Sequence, residues 1–303
     1  MNLNAEVICD FKVSTLRKKV WQAQLDMVKI FIDICDKYKL KYFAAGGTLI
    51  GAIRHNGFIP WDDDIDLMMP REDYEKFIKV AKEELKKEPY FLQHYSTEKD
   101  YPNGHAQIRN SNTTCFIKES YSDLKKGKNC GIFIDIFPYD VLFDNYRKRQ
   151  KYCRKIKLFK ALSLWRVYTP KSLLRKVIMH LYFFFHSLQK TILKVDNLSK
   201  NIPNKEKYNM VALASFMPGY EKNVWAKEWF DQTLYHQFED IEIAIPLYYD
   251  EVLKKEYGDY MTIPEHKGGA IHGQCYFNCD IPYEKFKDLT KKEFDELFLE
   301  NQL

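Results

Sequence analysis

Four aspartates within five positions, Asp62, Asp63, Asp64 and Asp66, are the residues of this chain best suited to chemistry. Ile65 separates the last two, and Leu67, Met68 and Met69 follow. Side chains alternate between the two faces of a strand, so a strand here would put Asp64 and Asp66 on one face and Ile65 and Leu67 on the other. Two carboxylates a strand-step apart suit Mg²⁺ or a similar ion such as Mn²⁺. Mg²⁺ prefers oxygen ligands and keeps part of its shell for water and substrate phosphates. The bland alternative is a solvated acidic turn. The apolar residues around the acids argue against it, because burying unpaired carboxylates is expensive.

Upstream, Tyr42-Phe43-Ala44-Ala45 reads as a short buried strand. Gly46, Gly47 and Thr48 follow, and Leu49, Ile50, Ala52 and Ile53 then fall at helical spacing. A strand–Gly-Gly–helix turn lets backbone N–H groups approach phosphate oxygens, at a helix end whose dipole favours anions. A loop punctuated by Gly57 and Pro60 leads on to the acids. A second apolar run, residues 131–138, carries one acid, Asp135. A buried strand rarely holds an unpartnered charge. A cation shared with Asp64 and Asp66 would supply the partner, and so would a core arginine. Asp140 and Asp144 lie beyond Pro138, in a predicted loop.

GGTLIGAIRHNGFIPWDDDIDLMMPREDYEKF, beginning at Gly46, closely resembles the signature of the LicD family of phosphotransferases. That family is related to fukutin and fukutin-related protein, and more distantly to nucleotidyltransferases of the DNA polymerase β type. IDIFPYD, from Ile134, and IPLYYDEVLKKEYGDYM, from Ile245, extend the likeness to three separated blocks. The resemblance implies an α/β (α+β) fold, with a small mixed sheet of nucleotidyltransferase type flanked by helices. It implies transfer of phosphocholine from a CDP-linked donor, CDP-choline first, to a hydroxyl of a surface or lipid-linked glycan: teichoic acid, lipopolysaccharide or capsule. CMP would leave. Phosphoethanolamine, ribitol or glycerol phosphate, or a phosphonate would use the same chemistry.

In this reading Asp64, Asp66 and Asp135 hold the metal and serve the displacement. Gly46, Gly47 and Thr48 contact the phosphates, Arg54 or His55 stabilises the leaving group, and Asp62 and Asp63 orient the loop. Lys267 and His272 are further phosphate or acceptor contacts. A quaternary ammonium head group calls for an aromatic cage, for which Trp61, Tyr101, Phe116, Tyr121 and Phe133 stand near the motifs. A glycosyltransferase also uses Asp-x-Asp, but the upstream Gly-Gly turn and the later third acid argue against it. The intact acid triad argues against a non-catalytic membrane scaffold.

The 303 residues suit one large domain or two small ones. No linker or repeat marks a boundary, so a single unit is expected: a core over residues 15–144, a basic helical section over 145–235 and a C-terminal segment over 236–303. A long amphipathic helix is predicted over 15–38 with a purely packing role, and another from Pro70 to about residue 87. Strands are expected at 90–92, 105–109, 113–117 and 238–246, and a helix from 247 to about 257.

Residues 145–195 contain no acid. Their fourteen basic residues interleave with Trp165, Leu181 and Phe183-Phe184-Phe185, and Pro170 separates two helices. Such a section can lie on an anionic membrane, bind a polyanionic acceptor, or present a solvated basic face. Nothing resembles a nucleic-acid motif. Seven scattered cysteines form no disulfide framework and suit a reducing compartment. His266, His272, Cys275 and Cys279 lie close together but match no standard zinc spacing. With no signal-like N-terminus and no spanning apolar run, the expected location is the cytoplasm, peripherally on the inner face of the cell membrane.

Overall fold

The fold is described from a computed structural model, over residues 1–86, 89–265 and 275–300. A hairpin, β1 (Glu6–Ile8) and β2 (Phe11–Val13), precedes the long helix α1 (Thr15–Tyr38). The organising stretch folds as β3 (Phe43–Ala44), α2 (Gly46–His55), β4 (Asp66–Pro70) and α3 (Arg71–Glu84). Next come β5 (Tyr90–Gln93), β6 (Ala106–Asn110), β7 (Thr114–Phe116), the short α4 (Tyr121–Lys125) and the long strand β8 (Ile132–Leu142). The basic section is α5 (Tyr146–Val167), α6 (Leu173–Phe185) and α7 (Leu188–Lys200). The remainder comprises β9 (Met210–Ala212), β10 (Val224–Ala226), β11 (Thr233–Phe238), β12 (Ile241–Pro246), α8 (Tyr249–Tyr257), β13 (Tyr276–Asn278) and α9 (Lys291–Glu300).

The expected mixed sheet is present. Seven strands join around β8, which pairs in parallel with β4 and antiparallel with β6 and β9. The alternation along β8 explains its layering. Ile132, Ile134 and Ile136 are fully buried, whereas Phe133 and Asp135 on the other face are partly open. Helix α1 starts where the Ser14 hydroxyl caps the Arg17 amide. It buries Val20, Leu25, Val28, Phe31 and Ile34 in the core against the sheet.

Four expectations need correction. β4 begins at Asp66, so Asp64 lies in the segment entering the strand and strand alternation does not set its direction. Helix α3 ends at Glu84, short of residue 87. The predicted strand over 238–246 is a hairpin: β11 ends at Phe238, Glu239 takes φ 54° at the turn, and β12 returns from Ile241. Asp140 belongs to β8 rather than to a loop, because Pro138 does not end the strand. Five residues beyond Asp135, it points to the opposite, buried face. There Arg71 Nε and Nη2 donate to its two oxygens at 2.6 and 2.8 Å, and Arg71 Nη1 donates to Asp196 of α7 at 2.8 Å. The core arginine considered as a partner for Asp135 therefore serves Asp140, and through Asp196 it ties the basic helices to the sheet.

Candidate active site

The two strand acids are neighbours. Asp66 and Asp135 are partners in the parallel β4–β8 register, and Gln107 partners Asp135 from β6. Gln107, Asp135 and Asp66 thus form one row across three strands. Gln107 Nε2 donates to Asp135 Oδ1 at 2.8 Å, and His105 Nε2 lies 3.1 Å from the same oxygen. Neither His105 nor Gln107 was singled out from the sequence. Their alternation with Ala106, opposite a strand bearing an acid, was the available signal.

The start of α2 faces this row. Gly46 takes φ +52°, a conformation that costs other residues about 1–2 kcal/mol. A Cβ there would stand 3.4 Å from both Asp66 Oδ2 and the Tyr257 hydroxyl. A Cβ on Gly47 would meet Asp62 Oδ2 at 2.6 Å. No side chain caps this helix end. The Thr48 hydroxyl accepts from the Asp66 amide at 2.8 Å, which fixes the start of β4 against α2.

Asp62, Asp63 and Asp64 place a carboxylate oxygen each within 4.8 Å of one another. Their backbone is gripped from behind by one face of α1. Arg17 Nη1 and Trp21 Nε1 donate to the Asp62 carbonyl at 2.7 and 3.0 Å, and Gln24 Nε2 donates to that of Asp63 at 2.8 Å. Helix α1 therefore does more than pack, contrary to expectation. Arg17, Trp21 and Gln24 fall at i, i+4 and i+7, and two polar residues on an otherwise apolar stripe were the readable sign.

Electrostatics set this cluster apart. Desolvation first, then Asp64, Asp135 and Asp62, push the Asp66 carboxyl well above the usual carboxylate range. Crowded acids of this kind are strained by mutual repulsion and welcome a divalent cation. The all-oxygen donor set suits Mg²⁺ or Mn²⁺.

Arg54 and His55 lie at the far end of α2. The eight-residue step from Gly46 to Arg54 corresponds to about 12 Å of helix. Arg54 Nη1 donates to the Tyr260 carbonyl at 2.6 Å and its Nε to His55 Nε2 at 2.9 Å. Desolvation, with Arg54 beside it, lowers His55 to about 4. The pair holds the loop after α8 and is separated from the glycine turn. The aromatic candidates are dispersed as well. Trp61 packs on Phe11 and His55, Phe133 lies under Arg109, and Tyr101 is buried beside His105. Phe116 and Tyr121 join Phe294 in a separate small core. Lys267, His266 and His272 lie outside the described residues. Of that group, Cys275 is buried against Cys115, and Cys279 is partly buried.

A helix N-terminus opposite carboxylates on adjacent strands of a mixed sheet is an arrangement suited to a phosphate group and a divalent cation, as in transferases that act on phosphate esters. Residues 39–161 match the family model described as LicD/FKTN/FKRP, nucleotidyltransferase domain. The chain is 31% identical over 257 residues to the lipopolysaccharide cholinephosphotransferase LicD of Haemophilus influenzae, covering 82% of this chain and 92% of that protein. Uncharacterised proteins of Rickettsia prowazekii and Rickettsia typhi are 46% identical over 41 residues, 14% of this chain and 15% and 13% of theirs. The chain belongs to the LicD family and is an enzyme, a transferase of that family.

Proposed function

We propose that this enzyme transfers phosphocholine from CDP-choline to a hydroxyl of a lipopolysaccharide-type surface glycan, releasing CMP. One observation carries the reading: Asp66 and Asp62 stand against the glycine turn at the start of α2, with Asp135 beside Asp66 in the strand register and Asp64 close to Asp62. Asp64, Asp66 and Asp135 would hold Mg²⁺ or Mn²⁺, with Asp62 as a further oxygen donor. When bound, the ion neutralises the diphosphate and favours in-line displacement.

The chain's own groups do the rest. The N–H groups of Gly46 and Gly47 bind phosphate oxygens, and Thr48 holds the turn in place. The acceptor oxygen bonds to the phosphorus carrying the choline, and the bond from that phosphorus to the bridging oxygen breaks. The electron pair leaves with CMP. The hydroxyl proton passes to Asp135, which Gln107 and His105 steady.

The basic section supports a peripheral membrane contact. Leu173, Leu174, Val177, Ile178, Leu181, Phe184 and Phe185 recur along one face of α6, all exposed and several by more than three quarters. Met179 on the opposite face is buried. Thirteen residues reach only about 20 Å, and no described helix is long and apolar enough to cross a membrane. An exposed apolar stripe on an acid-free basic section suits the surface of an anionic leaflet, where a lipid-linked glycan would be presented.

The test is product analysis with purified protein, Mg²⁺, CDP-choline and lipopolysaccharide. CMP in the ³¹P NMR spectrum, with a phosphocholine diester on the glycan by mass spectrometry, is expected. A cytidylyl adduct with free phosphocholine would reverse the direction of transfer. CDP-ethanolamine, CDP-ribitol or CDP-glycerol outrunning CDP-choline would change the head group.

A further inference from the structure

A cavity of about 680 Å³ opens between α5, the segment around Phe216–Asn223 and the end of α8. Its lining includes Lys160, Leu164, Phe216, Tyr220, Glu256 and Tyr257. Two of these reach the acid row. The Tyr257 hydroxyl and Asp66 Oδ2 both stand 3.4 Å from the Cβ position of Gly46. The Phe216 ring lies 5.4 Å from that of His105, which contacts Asp135. The cavity therefore adjoins the place where the donor's diphosphate would sit.

Glu256 is only 9% exposed. Burial pushes its carboxyl up to about 8, against the opposite pull of Trp225 and Asn223 beside it. Among the described residues no lysine or arginine forms an ion pair with it. The cavity's two lysines do not pair with it: Lys157 is exposed, and Lys160, partly buried, donates to the Phe216 carbonyl and lies 4.7 Å from the Phe216 ring centre. A buried carboxyl with no cation partner, among aromatic rings, suits a bulky, weakly hydrated cation, whose arrival favours its charged form.

Resting on the proposed phosphocholine transfer, we infer that this cavity holds the donor's quaternary ammonium, with Glu256 as counter-ion and Tyr220 and Tyr257 as the rings against which its methyl groups pack. The head group then lies on the α5–α8 side of the carboxylates, not among the aromatic residues between Trp61 and Phe133.

The experiment compares CDP-choline with its uncharged isostere, in which a tert-butyl carbon replaces the nitrogen. Binding of each to the full chain with Mg²⁺ is measured by calorimetry. The unaltered protein is expected to prefer the cation by about tenfold or more. Glu256→Gln should bring the two ligands to near-equal affinity, and Tyr220→Leu should narrow the gap. Tyr220 is half exposed, so its variant decides the matter if Glu256→Gln fails to fold. No preference in the unaltered protein, or a preference unchanged in a folded variant, would overturn the assignment. Binding preference is read without turnover. Preference without transfer would sink the catalytic reading alone, and transfer without preference would sink this one alone.

Discussion

Asp66 and Asp135 sit side by side on parallel strands, with the Asp135 amide donating to the Ile65 carbonyl at 2.9 Å. The same register that builds the sheet forces two like charges together. Asp66, already desolvated, bears the cost in a strongly raised proton affinity. A carboxyl whose folded pKa is raised destabilises the fold at neutral pH. Asp66→Asn should therefore leave the melting temperature in EDTA unchanged or raise it. The same change should cut transfer with Mg²⁺ by more than about 10²-fold, since losing a metal ligand forfeits several kcal/mol of charge stabilisation. Asp64→Asn and Asp135→Asn should cut transfer similarly. Near-normal turnover in any of them removes that residue from the metal site.

The glycine turn separates two effects. Gly46→Ala meets strain at φ +52° and should cost about 1–2 kcal/mol of stability in urea unfolding. Gly47→Ala meets no such strain, but its Cβ displaces the Asp62 carboxylate. It should lower activity at near-constant stability. An active Gly47→Ala enzyme would free Asp62 from any role at the metal.

Arg71→Met should cost about 3–5 kcal/mol, because it strands the buried Asp140 and Asp196 without their shared cation. Chemical denaturation measures this directly. A loss below about 1 kcal/mol would mean that the two carboxylates find other partners.

Two histidines set an acid limit. Desolvation lowers His55 to about 4 and His94 to about 3, from an ordinary value of 6.5. The unfolded chain then binds protons that the folded chain refuses. Stability should fall as the pH drops below about 6.5, with a slope approaching one proton for each histidine. Urea midpoints at pH 7, 6, 5 and 4.5 would reveal it. His55→Gln should remove one proton from that slope, and an unchanged slope would show His55 to be charged in the fold.

Leu181→Ser with Phe184→Ser and Phe185→Ser should weaken sedimentation with anionic liposomes by at least tenfold, given about 1.5–3 kcal/mol for each large apolar side chain buried. CDP-choline affinity should be unchanged. Undiminished sedimentation would move the membrane contact off α6.

Local pattern made much of this protein legible. The i, i+3, i+4 spacing of apolar residues placed α1 from Thr15 to Tyr38, Pro170 parted α5 from α6, and the lone acid of the 131–138 run marked Asp135. The glycine turn and the clustered acids were readable because their chemistry is carried by residues close together in the chain. Partnership between distant segments was not. Pro138 suggested the end of a strand, yet β8 continues to Leu142, because a proline needs only its missing N–H to fall where the ladder does not use it. Only that continuation carries Asp140 to Arg71. Arg54 looked like a neighbour of the glycines in sequence, but the rise of α2 carries it to the opposite end. The strand register set His105 and Gln107 on Asp135, the grip of α1 held the acid run, and the packing of α8 against α2 brought Tyr257 to Gly46. Composition and spacing determine which groups can do chemistry and which helices and strands form. Which groups meet depends on how those elements pack, and contacts between residues far apart in the chain leave no periodic trace in it.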